Sequence, residues 1–392
     1  MKYIEDMNIK NKKVVLRLDL NVPISKCTIL DDTKIKESLK TINYLIDNGC
    51  KVLMLSHLGK IKSKEDMEVN SLKIVADRLS TLLNKDVKFI DNPIDPKIPK
   101  ILDEYDLVLL ENTRFMDYPE KLESSCDLNL ASFWASAGEI FINDAFGTSH
   151  RKHASNYGIS KFLETGYGFL FKKELDGLKP IIGEEITRPF VVIMGGAKVD
   201  DKIELINSLL KKCDYLLLGG GIANTFLKAK DINVGKSLIN ENVLDDVKKT
   251  ILNYSEKIIL PIDVITQFEN NVYNRNLDEI HTDDVIYDIG KKTVDEYKKY
   301  LDKAKTIFVN GTMGLYENEN FSAGTKEILS IIGNENAIKI AGGGDAVSSI
   351  NKFNLADTFD FLSTGGGATL KYIISEKIEC FEDNNIWFLC LI

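Results

Sequence analysis

Residues 190–204 read FVVIMGGAKVDDKIE, and this stretch decides the predicted fold. Its first five residues are apolar without interruption, which is typical of a strand buried on both faces of a parallel sheet. Two glycines close the run, and Lys198 and Lys202 follow among acidic residues. The two cations therefore stand at the end of a predicted strand, which is where open α/β sheets bind their ligands.

Similar apolar runs recur along the chain, separated by segments with helical spacing. The runs are KVVLRLDLNVP (13–23), KVLMLS (51–56), LVLLENTRF (107–115), EIFINDAF (139–146), YLLLGGG (215–221), KIILPIDVI (257–265), TIFVNGTMG (306–314), IKIAGGG (338–344) and FDFLSTGGG (359–367). Between them, segments such as TKIKESLKTINYLIDNG (33–49) repeat apolar residues at helical intervals and end at a glycine. This alternation predicts an α/β fold with mostly parallel sheets.

The length of the chain predicts more than one domain. At roughly 150 residues per domain, 392 residues suffice for two or three. Residues 156–182 separate two groups of apolar runs, and their second part has the pattern of a helix that bridges two domains. We therefore expect a first domain over residues 1–170 and a second over residues 171–372.

Composition argues against several classes of protein. The formal net charge of −9 is unlike that of a general nucleic-acid binder, which is usually basic. The six cysteines are scattered without a CxxC pair, as in proteins of a reducing compartment. The first residues lack the apolar core of a signal peptide, and the apolar end IWFLCLI (386–392) is far shorter than the ~20 residues that span a bilayer. We expect a soluble cytoplasmic protein with no nucleic-acid or membrane partner.

In the first half of the chain, the strand ends carry basic and polar side chains. Arginine supplies only 6 of the 50 cations, yet three arginines and three of the four histidines lie at these ends. The side chains are Arg17, Asp19, Asn21, His57, Lys60, Arg114, Asp144, His150, Arg151, Lys152 and His153. Arginine and histidine converging in one cleft suit a phosphorylated carboxylic acid. Separate surface ion pairs are the alternative for any single residue.

In the second half, the strand ends are rich in glycine. They read GGAK (195–198), GGGIA (219–223), NGTMG (310–314), AGGGDA (341–346) and STGGGA (363–368). Glycine lets the backbone approach a ligand, and a helix that follows at once points free N–H groups at an anion. Five such ends favour a nucleotide site over ordinary tight turns. The sequence has neither a Walker A loop nor a clear GxGxxG after the first strand of either half.

An acid site and a nucleotide site together suit phosphoryl transfer, which depends mainly on positioning and charge neutralisation. Asp345 follows three glycines and is the candidate to hold Mg²⁺ carried by a nucleotide. Mg²⁺ typically takes one or two carboxylates together with phosphate oxygens. The alternative role of Asp345 is that of a helix N-cap.

From residue 13 to about residue 370 the chain resembles the phosphoglycerate kinases. The shared motifs, in order, are RLDLNVP, SHLG, LLENTRF, NDAFGTSHRKHAS, GGAKVDDKI, LLLGGGIANTFLKA, NGTMGLYE, GGGDA and STGGGA. The resemblance implies two Rossmann-like parallel-sheet domains joined by a hinge helix, with residues 373–392 packed back on the first domain. It also implies a monomeric glycolytic enzyme that uses Mg²⁺. Its reaction would be reversible phosphoryl transfer between ATP and the carboxylate of 3-phosphoglycerate, giving 1,3-bisphosphoglycerate and ADP.

The resemblance implies roles for individual residues. The acid site would use Asp19, Asn21, Lys34, His57, Lys60, Arg114 and Arg151. The nucleotide site would use Lys198, Lys202, Gly220, Asn310, Glu317, Gly342, Gly343, Gly344, Asp345, Gly365, Gly366 and Gly367, with Asp345 on Mg²⁺. Lys34, Lys202 and Arg17 would form the catalytic set, with Lys202 following the phosphoryl group as it transfers.

Four positions depart from the family pattern. Lys34 and Lys60 stand where the family has arginine, Thr312 where it has proline, and Ala346 where it has threonine or serine. Lysine keeps the charge at position 34 but lacks the two-pronged grip of arginine on a carboxylate. The alternatives are therefore a paralogue with weak activity or another phosphorylated acid as substrate, and a non-catalytic protein that keeps both sites. The α/β pattern alone also allows a dinucleotide-dependent oxidoreductase.

Overall fold

The computed structural model describes residues 1–197, 199–200 and 202–378, which form two units. The first unit covers Met1–Asp176 and the second covers Gly177–Glu376. Each unit contains a six-stranded parallel sheet, so the predicted α/β class with parallel sheets is confirmed. Most of the predicted C-terminal tail, and with it the proposed packing on the first domain, lies outside the described residues.

The described residues of the first unit form eight strands. They are β1 (Lys13–Arg17), β2 (Ile24–Ser25), β3 (Thr28–Ile29), β4 (Lys51–Leu55), β5 (Lys88–Ile90), β6 (Leu107–Leu110), β7 (Ile140–Asn143) and β8 (Glu164–Tyr167). The parallel sheet has the order β5-β6-β4-β1-β7-β8, while β2 and β3 form a separate hairpin. Strand β1 is central, so the residues that follow it lie between those that follow β4 and β7.

Both faces of this sheet are buried, which explains the uninterrupted apolar runs. Val14 and Leu16 belong to one apolar cluster, while Val15 belongs to the cluster on the opposite face. All three side chains are fully buried. Burying one such side chain contributes about 1.5–3 kcal/mol.

Helices cover the first sheet. They are α1 (Thr33–Asp47), α2 (Lys64–Val69), α3 (Lys73–Leu83), α4 (Ile98–Glu104), α5 (Leu128–Ala135) and α6 (Phe169–Leu178). Helix α6 is the helix expected within residues 156–182, and it carries the chain from the first unit into the second.

The N-terminal segment is fastened to the last strand of the first sheet. Tyr3 forms a parallel bridge with Tyr167, whose N–H donates to the Lys2 carbonyl at 3.1 Å. The Lys2 ammonium also pairs with Glu164 at 2.8 Å. Residues from the two ends of the unit's sequence therefore complete one side of its sheet.

The described residues of the second unit form nine strands. They are β9 (Phe190–Met194), β10 (Tyr215–Leu218), β11 (Ile258–Ile259), β12 (Asp263–Phe268), β13 (Asn271–Asn276), β14 (Val285–Ile289), β15 (Thr306–Asn310), β16 (Ile338–Gly342) and β17 (Phe361–Ser363). The parallel sheet has the order β11-β10-β9-β15-β16-β17, and the stretch that opened the sequence analysis supplies its strand β9. Strands β13-β12-β14 form a smaller antiparallel sheet.

The sequence run KIILPIDVI differs from the single strand that its apolar pattern indicated. Pro261 separates the short parallel strand β11 from β12, which joins the antiparallel sheet instead. Proline has no N–H to donate to a sheet ladder, and the edge strand β11 pairs with β10 only through Ile258 and Ile259.

The described residues of the second unit also form seven α-helices: α7 (Ile203–Lys212), α8 (Gly220–Ala229), α9 (Leu244–Tyr254), α10 (Lys291–Leu301), α11 (Ala323–Asn334), α12 (Gly344–Lys352) and α13 (Gly367–Ser375). Helices α8, α12 and α13 each begin within a glycine-rich strand end predicted from the sequence. In the described part of the chain, no helix has the length and apolar character needed to cross a membrane.

Candidate active site

In the first unit, the residues that follow β1, β4, β6 and β7 lie at one edge of the sheet, which we call the basic edge. The strands are parallel, and the register pairs Arg17 with Leu55 on one side and with Asn143 on the other. His57 and Asp144 therefore follow within two residues of the positions that flank Arg17.

Arg17 is the last residue of β1, and its side chain is fully buried. Its Nη2 lies 3.3 Å from His57 Nδ1, and its Nε donates to Ser155 Oγ at 2.8 Å. Burial, and then the charge of Arg17, hold the pKa of His57 well below its usual value. The sequence placed Arg17 in the catalytic set, but complete burial favours a supporting role behind His57.

Lys34 lies in the first turn of α1 and contacts the segment after β1. Its ammonium donates to Asp19 Oδ2 at 2.8 Å, with the Lys34 side chain 30% exposed and that of Asp19 8% exposed. Burial opposes ionisation of Asp19, but Lys34 and, to a smaller extent, Arg17 hold the pKa of Asp19 below its usual value. An ammonium has three donors, so Lys34 can contact Asp19 and a ligand oxygen at the same time.

Hydrogen bonds around Gly59 join three of the predicted residues. Asn21 Oδ1 accepts from the Gly59 N–H at 2.9 Å, and the Gly59 carbonyl accepts from Arg114 Nη1 at 3.2 Å. Lys60 comes next in the chain and is exposed. Asn21, Lys60 and Arg114 are thus gathered by one loop.

Two arginines give the basic edge an excess of positive charge. Arg114 is half-buried and Arg151 is exposed. Burial lowers the pKa of Arg114, and the charge of Arg151 acts in the same direction. The charge of Asp117 acts in the opposite direction. Arginine stays protonated in proteins, so Arg114 keeps its charge and can contact an anionic ligand.

The structure also shows a buried network that the sequence did not predict. Glu123 is fully buried and accepts hydrogen bonds from the Ser155 hydroxyl and, at 2.9 Å, from the Ser155 N–H. Ser155 also contacts Arg17. Burial, and then the charge of Arg17, lower the pKa of His153 beside Glu123 to about 3, so this histidine is neutral. Glu123 is remote from every strand end in sequence, so no motif pointed to it.

In the second unit, the segments that follow β9, β10, β15, β16 and β17 form a second edge, which we call the glycine edge. A Cβ added to Gly195 would lie 1.9 Å from the Thr312 carbonyl oxygen. Gly220 has φ +59°, and an added Cβ there would lie 3.0 Å from the Gly196 backbone. Only glycine combines these backbone conformations with such close packing.

Of the two lysines that opened the sequence analysis, Lys202 is described and Lys198 lies outside the described residues. Lys202 is the residue before α7, and its ammonium donates to the Gly195 carbonyl at 2.9 Å. It is half-buried at the glycine edge. The positive end of a helix and a lysine thus occur together, a combination that attracts anions.

Asn310, Gly342 and Gly343 connect two neighbouring strand ends. Asn310 Nδ2 donates to the Gly342 carbonyl at 2.6 Å, while Gly343 has φ +101°. Asn310 Oδ1 is buried and has no hydrogen-bond partner among the described residues. An unmet buried acceptor of this kind suits a ligand hydroxyl or amine.

Asp345 is exposed in the first turn of α12, and a Cβ added to the preceding Gly344 would meet nothing within 4 Å. A free carboxylate beside open backbone fits a magnesium ion that takes its other ligands from nucleotide phosphates. The neighbouring Ala346 is fully buried in the apolar cluster of the second unit. Ala346, which departs from the family pattern, therefore packs in the core of the second unit and does not lie on the exposed start of α12.

The loop after β15 is fixed from several sides. Thr312 Oγ1 donates to the Gly314 carbonyl at 2.9 Å, so its hydroxyl restrains the loop where the family has proline. Thr325 Oγ1 accepts from the N–H groups of Met313 and Gly314 at 3.1 and 3.2 Å. Glu317, the predicted ribose contact, is exposed at the end of this loop.

The last strand end carries Gly365, Gly366 and Gly367. Gly366 has φ +54°, and Gly367 is the first residue of α13. The Gly365 N–H donates to Ser363 Oγ at 3.2 Å. The three predicted glycines therefore form the turn into a helix, in which backbone N–H groups can bind phosphate oxygens.

The described part of each unit also contains a buried aspartate whose pKa is raised. Burial raises the pKa of Asp144 to about 7 and that of Asp288 to about 7. Asp144 accepts from the Phe171 N–H in the first turn of α6, at 2.9 Å. Asp288 accepts from the N–H of Gly324 in the first turn of α11, at 2.7 Å. Both carboxylates therefore cap helices.

Comparison with known proteins agrees with this arrangement. The family model of phosphoglycerate kinase matches residues 4–376. The phosphoglycerate kinase of Macrococcus caseolyticus is 43% identical over 96% of this chain and 97% of its own length. That of Mesomycoplasma hyopneumoniae is 43% identical over 95% of this chain and 94% of its own length.

Solved structures give the same result. Phosphoglycerate kinase from Coxiella burnetii superposes with a TM-score of 0.84 at 34% identity, covering 96% of this chain and 97% of that one. The enzyme from Pyrococcus horikoshii superposes with a TM-score of 0.85 at 30% identity, covering 97% of each chain.

Proposed function

The chain belongs to the phosphoglycerate kinase family, and from this premise we propose that its basic edge binds 3-phosphoglycerate and its glycine edge binds ATP or ADP. Family membership confirms the predicted class of reaction, transfer of a phosphoryl group between ATP and 3-phosphoglycerate. Neither a non-catalytic binding protein nor an oxidoreductase is favoured by the comparisons.

The acid substrate carries a phosphate, a hydroxyl and the carboxylate that accepts the phosphoryl group. We assign its binding to Asp19, Asn21, Lys34, His57, Lys60, Arg114 and Arg151. The charge of Arg114 and Arg151 suits the phosphate, because guanidinium groups bind phosphate with paired hydrogen bonds. Lys34, held by Asp19, would neutralise the reacting carboxylate.

The nucleotide would bind to Lys198, Lys202, Gly220, Asn310, Glu317, Gly342, Gly343, Gly344, Asp345, Gly365, Gly366 and Gly367. The glycines admit phosphate oxygens close to the backbone, and Lys202 neutralises the phosphate that transfers. Asp345 would hold Mg²⁺, which neutralises phosphate charge when it is bound. Positioned donors of this kind often supply the largest share of catalysis.

We further propose that the chain acts as a cytoplasmic monomer and that binding of both ligands brings the two units together and excludes water. The observation that carries the functional assignment is the division of labour between the two edges. Charged side chains collect at one sheet, and positive-φ glycines collect at the other. An acid and a nucleotide each find a matching site.

A coupled assay tests the assignment. It supplies 3-phosphoglycerate and MgATP and follows 1,3-bisphosphoglycerate through its NADH-dependent reduction. We expect turnover at ~10–10³ s⁻¹, within the usual enzyme range, with Lys34→Arg also active. A silent native protein that Lys34→Arg revives would instead mean that the native protein has another role or phosphorylates another acid. Small-angle scattering with both ligands checks closure, and an unchanged radius of gyration would contradict it.

A further inference from the structure

The contact between Arg17 and His57 determines where His57 carries its proton. Arg17 Nη2 lies 3.3 Å from His57 Nδ1. A guanidinium has only donors, so His57 Nδ1 must accept this hydrogen bond. A neutral imidazole with an accepting Nδ1 carries its proton on Nε2.

The hydrogen bond between Arg17 and Ser155, on the other side of the guanidinium group, also has a defined direction. Arg17 Nε donates to Ser155 Oγ at 2.8 Å, so the Ser155 hydroxyl accepts there and has one hydrogen left to donate. That hydrogen goes to Glu123 Oε1, while Glu123 Oε2 accepts from the Ser155 N–H at 2.9 Å. Both oxygens of Glu123 accept hydrogen bonds. Burial raises the pKa of Glu123, while the charge of Arg17 and the two hydrogen bonds from Ser155 act in the opposite direction and favour the ionised carboxylate.

Burial constrains the directions of these hydrogen bonds. Arg17, Glu123 and Ser155 are all fully buried. A buried guanidinium requires a counter-charge and satisfied hydrogen bonds, because water does not compensate for lost partners. Glu123, reached through Ser155, supplies the counter-charge on the side away from His57.

The environment of His57 favours the neutral ring. The charged groups that act on it are Arg17, Asp19, Arg114 and Lys34, three cations against one carboxylate. Together with burial, the three cations oppose a further positive charge on the imidazole, and Asp19 only partly offsets them.

We propose that Glu123 and Ser155 are positioning residues that act through Arg17 to hold His57 as a neutral imidazole protonated on Nε2, so that His57 offers a hydrogen-bond donor to the acid substrate. The last clause rests on the proposed function, whereas the tautomer is a property of the protein alone. His57 then contributes to binding as a fixed donor and takes no part as a general base.

Nitrogen-15 NMR of histidine-labelled protein reads the tautomer directly. The chain has only four histidines, so loss of one set of signals in His57→Gln identifies His57. We expect an unprotonated Nδ1 and a protonated Nε2 throughout the range from about pH 6 to 8. An ordinary histidine, in contrast, becomes charged as the pH falls below about 6.5. Ring signals of a cation near neutral pH, or a proton on Nδ1, would overturn the proposal.

Two variants test whether Glu123 and Ser155 act through Arg17 on His57, an arrangement that we call the relay. Ser155→Ala removes the hydroxyl, and Glu123→Gln keeps the shape but cannot accept at both positions. We expect both to admit the Nδ1–H tautomer of His57. Ser38→Ala is the matched control, since Ser38 is buried in the same unit and its hydroxyl donates to the Ile35 carbonyl of its own helix. If the His57 signals of both relay variants equal those of the control, Glu123 and Ser155 do not position His57. Circular dichroism of each variant separates this result from unfolding.

Ligand titration separates the relay from the function. Addition of 3-phosphoglycerate should shift the His57 Nε2 signal. His57→Gln, whose amide reaches the place of Nε2, should raise KM for the acid less than His57→Asn. Loss of a hydrogen bond to a charged group corresponds to about 10- to 100-fold in KM for His57→Asn. The expected tautomer with no response to 3-phosphoglycerate would keep the relay but refute the assigned acid site. Equal KM values for the two variants would refute donation through Nε2.

Discussion

The basic edge and the glycine edge follow strands of the same kind, in sheets of the same size, yet they are built from different parts of the chain. At the basic edge, side chains form the proposed site, and they depend on partners such as Asp19, which is buried and pairs with Lys34. At the glycine edge, the backbone lies open, and it depends on close packing such as that of Gly195 under Thr312.

This difference determines how each edge tolerates change. A side-chain site loses one contact when one residue is replaced, and a similar residue can restore it. A backbone site changes shape when a single methyl group is added, and no second residue compensates. The basic edge should therefore respond to substitution in graded steps, and the glycine edge abruptly.

The largest effect is expected for Gly195→Ala. Its Cβ would lie 1.9 Å from the Thr312 carbonyl oxygen, so the segments after β9 and β15 must separate. We expect loss of measurable ATP binding and a free energy of unfolding lower by about 1–3 kcal/mol or more. Calorimetry and urea unfolding measure the two quantities. Gly344→Ala is the control for stability, because its Cβ meets nothing within 4 Å. Equal stability of the two variants would show that backbone packing does not shape this edge.

The next effect is that of Lys34→Ala. Removal of one positioned cation should lower kcat by ~10²–10³. Asp19 is buried and would lose its partner, so the free energy of unfolding should fall by about 1–3 kcal/mol. Lys34→Arg should remain active. Lys36→Ala is the control on the same helix, since Lys36 pairs with Asp32. A rate for Lys34→Ala equal to that control would remove Lys34 from the reaction.

A smaller effect is expected on the pH dependence of stability, to which the buried aspartates Asp288 and Asp144 contribute. The pKa of Asp288 is about 7 in the folded protein and near 3.8 in the unfolded chain. The folded state therefore binds more protons between about pH 4 and 7, and the free energy of unfolding falls as pH rises through this window. Asp288→Asn should remove up to one proton's share of that slope, about 1.4 kcal/mol per pH unit.

Urea unfolding at several pH values measures this slope. Asp283→Asn is the control, because Asp283 is exposed in the same unit and pairs with Lys236. Asp144→Asn should repeat the result in the first unit, where the pKa of Asp144 is also about 7. Slopes for Asp288→Asn and Asp144→Asn that match the native protein would mean that both carboxylates stay ionised throughout.

The smallest effect is expected for Thr312→Val. The substitution removes only the hydrogen bond to the Gly314 carbonyl. One neutral hydrogen bond contributes about 1 kcal/mol, so KM for ATP should rise about fivefold while KM for 3-phosphoglycerate stays unchanged. Thr358→Val, which removes a comparable bond to the Leu355 carbonyl, is the control. An equal rise in both KM values would mean that the hydroxyl of Thr312 supports the fold rather than the nucleotide loop.

Much of the fold could be predicted because parallel strands are buried on both faces and leave long apolar runs. The same logic located the strand ends and hence most candidate residues of both edges. It could not locate Glu123, because this residue is far from any strand end in sequence and joins the site through contacts with Ser155 and His153. Nor could it separate Arg17 from the exposed arginines, since burial of a charge depends on partners that are remote in sequence.

The fastening of the N-terminal segment to β8 has a consequence for biosynthesis. Lys2 and Tyr3 leave the ribosome well before their partners Glu164 and Tyr167, which come more than 150 residues later. At about 5–20 residues per second, the first residues wait roughly 10–30 s for the strand that they join. A nascent chain that stops before β8 therefore leaves an open sheet edge and a loose N-terminus, and both are targets for chaperones and proteases.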